Sequence, residues 1–177
     1  IETDRALNLA FTYLSYIGTP TMTAEEIAQK MYQLACSYSF SAGTTFTNIS
    51  LRGLNENFPE AMKIVEDLAY NAVPDENILA NLKADMLKSR ADAKLNQSSC
   101  FNALQTYTFN GPEFIERTTL SNDEVMNLTS DELLSKVRDL LGCQHEVLYY
   151  GPASEAEVIK LISEHHAVAA DLKPLET

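Results

Sequence analysis

At five expected helix starts the chain repeats one four-residue phrase, a small polar residue followed three places later by glutamate. The five are Thr23-Ala-Glu-Glu26, Asn57-Phe-Pro-Glu60, Ser121-Asn-Asp-Glu124, Thr129-Ser-Asp-Glu132 and Ser154-Glu-Ala-Glu157. Each is the signature of a capping box: the first side chain accepts from the amide of the fourth residue, and the glutamate reaches back to the amide of the first. Such a pair satisfies orphan donors at a helix start.

Apolar spacing fills in what the caps begin. Leu7 to Thr21 reads as an amphipathic helix that stops at Gly18-Thr19. Ile27, Met31 and Leu34 recur at helical spacing after Thr23, as do Ala61, Ile64, Val65 and Leu68 after Asn57. Pro59 falls in a first turn, where its missing amide costs little. Asp75 caps a longer helix marked by Ile78, Leu82 and Met86 and running to about Leu95. A further helix, about Ser99 to Phe109, ends at Asn110-Gly111-Pro112 with Phe101, Leu104, Tyr107 and Thr108 on one side. Leu133, Leu134, Val137, Leu140 and Leu141 form the inner stripe after Thr129, and Gly142 closes that helix where a left-handed residue is cheapest.

Two stretches read as sheet. From Cys36 to Leu54, Tyr38 and Phe40 alternate with serines, and Phe46, Ile49 and Leu51 sit among Thr, Asn and Ser. The pattern predicts two strands hinged near Ala42-Gly43, antiparallel because the connection is too short for a crossover. His145 to Gly151 predicts a third strand, whose four successive apolar or aromatic residues fit a strand covered on both faces. With no linker or repeat, residues 1–177 form one α+β domain, an antiparallel sheet packed by helices.

Composition removes several functions. Thirteen basic residues face 25 acidic ones, a net charge of −12, and no basic block is present. Nucleic-acid binding needs cations to neutralise phosphates, so no nucleic-acid partner is expected. No apolar run approaches the roughly 20 residues of a membrane helix, so no membrane insertion is expected. Cys36, Cys100 and Cys143 are widely spaced and read as buried small hydrophobes.

The search for chemistry returns little. His145, His165 and His166 are the three histidines, and adjacent His165 and His166 point about 100° apart on a helix. Leu161 to His165 mimics the end of a His-x-x-Glu-His helix but has Leu where the first His belongs; a polar helix end is expected there. There is no Gly-rich phosphate cradle and no Gly-x-Ser-x-Gly elbow. Lys83, Asp85, Lys88, Arg90, Asp92 and Lys94 read as a solvated, ion-paired helix face. Tyr149 and Tyr150, inside an apolar strand, read as core.

The order of elements carries more than any single residue. A helix ending in Gly18-Thr19, then "TAEEIAQKMYQLAC", two strands, "NFPEAMKIVEDL", a long charged helix, Gly111-Pro112, and "HEVLYYG" leading into "SEAEVIKLI" resembles a module of the pitrilysin/insulinase-type zinc peptidases. The resemblance spans about Leu7 to His166. It implies an α+β sandwich, built into proteins of four such modules whose two halves close around a peptide. In the catalytic module of that family, the helix before Gly-Thr carries His-x-x-Glu-His: two His hold zinc, and the Glu activates water. Aligned on Gly18-Thr19, those positions are Leu9, Thr12 and Tyr13. The family's later glutamate ligand falls near Asp85 to Arg90, yet no Glu occurs between Glu76 and Glu113. The family's substrate-pairing edge strand corresponds to Ser39, Phe40, Ser41 and Ala42.

The resemblance therefore implies a non-catalytic module, with no metal site of its own and zinc in the catalytic half of a larger protein. Its partner would be the catalytic module of the same or a partner chain, with peptide bound weakly if at all. An inactive partner subunit of a two-chain peptidase is the alternative. A third reading is an enzyme using an unrecognised site such as Cys100. The resemblance leans towards a periplasmic or other extracytoplasmic location.

Overall fold

A computed structural model describes residues 4–43, 46–168 and 170–174. The order is α1 (Leu7–Leu14), α2 (Ala24–Gln33), β1 (Ser37–Ala42), β2 (Thr47–Arg52), a 3₁₀ turn (Asn55–Asn57), α3 (Phe58–Asn71), α4 (Glu76–Ala93), α5 (Gln97–Thr118), α6 (Asn122–Asn127), α7 (Ser130–Leu141) and α8 (Glu155–His165). Helices α1, α3 and α7 pack on one another, with β1 against α1 and α8 against α3. The expected α+β class is the observed one. Among the described residues, no helix is long and apolar enough to cross a membrane.

Four of the five capping boxes form. Thr23, Ser121 and Thr129 each accept from the glutamate amide three residues on, with that glutamate bonded back to the cap's amide. Glu157 likewise accepts from the Ser154 amide at 2.7 Å. The fifth does not form. Asn57 is already helical in its backbone and turns its side chain away, donating from Nδ2 to the Leu34 carbonyl at 2.8 Å. The 3₁₀ turn ahead of α3 makes a side-chain cap unnecessary there. Asp75 caps α4 as expected, accepting from the Asn77 and Ile78 amides.

The core is continuous. It contains Leu9, Ala10, Phe11 and Leu14 of α1, Ile27 and Met31 of α2, the stripe of α3, Leu79 of α4, Val125 of α6, and Leu133, Leu134 and Val137 of α7. β1 and β2 pair antiparallel with Phe40 opposite Ile49 and Ser39 opposite Ser50. Phe40 stacks on Phe11, ring centres 5.4 Å apart, which locks the hairpin onto α1.

Helix α1 ends at Leu14, earlier than its sequence pattern predicts, because the next segment is needed for a tight loop. A Cβ at Gly18 would lie 2.4 Å from the Met22 carbonyl oxygen, so only glycine fits, and the Gly18 carbonyl accepts from Val73 at 2.9 Å. The helix begun at Gln97 breaks at Gly111, as its sequence predicts: Gly111 has φ 76° and ψ 173°, outside the helical region, and a second helical stretch runs on through Pro112 to Thr118. Gly142 closes α7 with φ −81°, not in the left-handed region, and its amide bonds to the Arg138 and Asp139 carbonyls at 3.2 Å.

The charged stretch of α4 is not an ion-paired face. None of its six charges forms a salt bridge among the described residues. Lys83 turns inward, 8% exposed, and donates to the Met126 and Leu128 carbonyls at 3.1 and 2.5 Å, capping the end of α6. Helical spacing could not separate a lysine with free carbonyls beneath it from its solvated neighbours.

The start of α6 is the most strongly polarised capping site. Glu124 accepts from the Ser121 backbone and hydroxyl and from Arg5, and these contacts lower its carboxyl to about 2. A carboxyl depressed on folding contributes stability that is fully present above its ordinary value of 4.5 and is lost as pH falls towards 2. Glu124→Gln is therefore expected to flatten the acid limb of stability between those values, measured by urea unfolding at stepped pH.

Candidate functional site

Helix α1 carries the three positions on which the sequence comparison with zinc peptidases turns. Leu9 is 3% exposed and packs in the core with Ala10 and Leu14. Thr12 faces outward and donates its hydroxyl to the Asn8 carbonyl at 2.8 Å, a bond within its own helix. Tyr13 is completely buried. Its phenol oxygen accepts from the Asp75 amide at 2.7 Å, and its one proton lies between the Asp75 carbonyl at 3.1 Å and Ser130 Oγ at 2.9 Å.

Those contacts join three helix termini. Asp75 is the cap of α4, and Ser130 opens α7 and is itself fully buried. The Ser130 amide donates to Glu76 Oε1 at 2.8 Å, so the start of α7 is also tied to the start of α4. Buried polar groups persist only when bonded, and here each donor has a partner. A hydrocarbon, an outward hydroxyl and a fully bonded phenol do not fit a zinc ion. On α4, Asp85 is exposed, and Lys83 is engaged at the end of α6. Among the described residues, no three His, Cys, Asp or Glu side chains are grouped to hold a metal.

The candidate edge strand is built as the sequence suggests in its alternation. Tyr38, Phe40 and Ala42 turn partly inward, while Ser39 and Ser41 face solvent. Ser39 Oγ lies 2.8 Å from Ser50 Oγ, a cross-strand pair. The Ala42 amide donates to Asn8 Oδ1 at 3.2 Å, so α1 occupies one backbone group of this strand. Among the described residues, β1 has no ladder partner besides β2.

The histidines form a cluster that spacing did not reveal. His166 Nδ1 meets Glu66 Oε1, the Ala167 amide donates to Glu66 Oε2 at 2.8 Å, and His166 Nε2 lies 2.8 Å from His145 Nε2. His145 Nδ1 in turn lies 2.9 Å from the Cys143 carbonyl. In the Nε2–Nε2 contact one ring donates and the other accepts. The cluster ties the end of α8 and the segment after α7 to α3. Glu66 and His166 are 100 residues apart, and no local pattern links them.

The cysteines differ from one another: Cys36 is buried, Cys143 is half-buried and Cys100 is exposed. Cys100 sits in the first turn of α5, beyond the packed layers, and its thiol donates to the Lys94 carbonyl at 3.3 Å. It has no histidine among its bonded partners.

The α+β fold is similar to parts of three proteases of known structure. The periplasmic protease PqqL from Escherichia coli superposes on 90% of the chain with TM-score 0.66 and 16% identity. A mutant of the ferredoxin protease FusC, in complex with Arabidopsis ferredoxin, superposes on 96% with TM-score 0.74 and 14% identity. A Helicobacter pylori protease superposes on 100% with TM-score 0.63 and 13% identity. The chain spans 18%, 19% and 42% of the lengths of these three proteins. No family model matches the sequence, and no curated protein matches it.

Tyr13→Phe removes the acceptor of the buried Asp75 amide, and the cost of stranding such a group is about 1–3 kcal/mol. Urea unfolding is expected to show that loss, whereas Thr12→Ala, at an exposed position, is expected to stay within about 0.5 kcal/mol.

Proposed function

We propose that this chain is a non-catalytic module of a pitrilysin/insulinase-type zinc peptidase, part of the wall that encloses the substrate and a docking surface for the catalytic half. The observation that carries this reading is the use of Leu9 and Tyr13 as core and hydrogen-bond anchors at positions where the family's catalytic module holds zinc. The short span relative to its protease neighbours supports a place inside a larger assembly. An exposed apolar stripe on α5, with Phe101, Leu104 and Tyr107 each more than half exposed, supports contact with another module. Peptide would meet this chain, weakly, through the backbone of Ser39 to Ala42. Zinc would sit in the catalytic half. PqqL is periplasmic, and an extracytoplasmic site fits the reading.

Incubating the purified chain with a denatured protein substrate and added zinc is expected to give no hydrolysis that a chelator abolishes. Chelator-sensitive cleavage that survives repurification would overturn the proposal. The complete reading frame, or its neighbour, is expected to encode a His-x-x-Glu-His helix.

A further inference from the structure

The segment after α7 contradicts its own sequence in an informative way. Its run of apolar residues predicts a strand covered on both faces, yet residues 145–150 join no strand ladder among the described residues. The segment begins as a strand begins: Cys143 bridges Lys173 in parallel, and the Gln144 amide donates to the Lys173 carbonyl at 2.8 Å. Beyond that point the chain runs to Tyr150 without helix, turn or bend. From His145 to Gly151, no backbone amide or carbonyl bonds to another backbone group among the described residues.

The side chains are only partly covered. Val147, 50% exposed, borders an apolar groove of about 590 Å³ with Val158, Ile159 and Ile162 of α8. Tyr149 packs edge-on against Phe58 and donates its hydroxyl to Asn55 Oδ1 at 2.8 Å. Between and beyond them Leu148 is 91% exposed and Tyr150 is fully exposed. The segment is an extended chain held at Tyr149, with no ladder among the described residues. Unpaired amides and carbonyls in a row are a template for another strand, and burial of large apolar side chains away from water is favourable.

We infer that residues 145–151 are an acceptor strand, completed by an extended strand from elsewhere in the larger polypeptide. That strand supplies backbone donors and acceptors and covers Leu148 and Tyr150 with apolar side chains. The inference rests on the proposal that the chain is one module of a larger protein, which its coverage of the protease neighbours supports. The chemistry of the edge sets the choice of occupant: a helix or a small ligand would cover the side chains and leave the row of backbone groups unpaired.

Hydrogen exchange followed by mass spectrometry, run on the 177-residue chain and on the complete polypeptide, tests this. The amides from Glu146 to Tyr150 are expected to exchange nearly unprotected in the chain alone and at least about a hundredfold more slowly in the complete protein. Equal exchange in both would overturn the inference. So would protection in the isolated chain that rises with its concentration, which would make a second copy the occupant. A Leu148→Lys/Tyr150→Lys variant adds a check that does not depend on exchange. It is expected to leave the melting temperature of the isolated chain unchanged and to lower that of the complete protein by several degrees; no change in either would contradict the pairing. Protection in a parent protein that lacks a His-x-x-Glu-His module would overturn the functional proposal and leave the strand pairing intact.

Discussion

A single phenol holds the helical layers in register. The oxygen of Tyr13, completely buried, takes the Asp75 amide and offers its proton to the Asp75 carbonyl and to Ser130. Because Asp75 opens α4 and Ser130 opens α7, the contact fixes two helix starts against α1. Apolar packing is non-directional, so Leu9, Leu14, Leu133 and Leu134 alone would tolerate small slides of one helix past another. The hydrogen-bonded phenol does not tolerate them. Glu76, bonded to the Ser130 amide, closes the same network from the other side.

This arrangement has a consequence for chemistry. A residue cannot both satisfy a buried amide and turn to bind an ion, and Leu9 one turn earlier has no ligating atom. Under the proposed function, the helix that a zinc peptidase would use for catalysis is here a packing and hydrogen-bonding element. Thr12 alone of the three faces solvent, bonded within its own helix.

Much of the fold was legible in the sequence because its signals are local. Capping boxes act over four residues, and helical stripes over two turns, so α2, α3, α6 and α7 followed from residue spacing. The hairpin followed from alternation and a short connection. What stayed hidden depends on distant partners. Lys83 is inward because the carbonyls of Met126 and Leu128 lie beneath it, and His166 is anchored because Glu66 is there. Asn57 failed as a cap because its own backbone is already helical after the 3₁₀ turn, and its side chain donates to the Leu34 carbonyl instead. Of the candidate site, the positions of Leu9, Thr12 and Tyr13 were readable, but the network around Tyr13 was not, since a tyrosine on an apolar stripe gives no sign of which amide it will meet. The strand expected from His145 to Gly151 is extended but has no ladder among the described residues, because pairing needs a neighbour that sequence pattern cannot supply.

The most direct measurement is a calorimetric titration of zinc into the purified chain, paired with elemental analysis of the protein as isolated. With α1 committed to packing and to the Asp75 amide, the expected isotherm is flat and the metal content is below stoichiometric. One zinc bound tightly per chain, abolished by substituting a histidine or by Tyr13→Phe, would contradict the central claim and mean that the module contains a metal centre of its own.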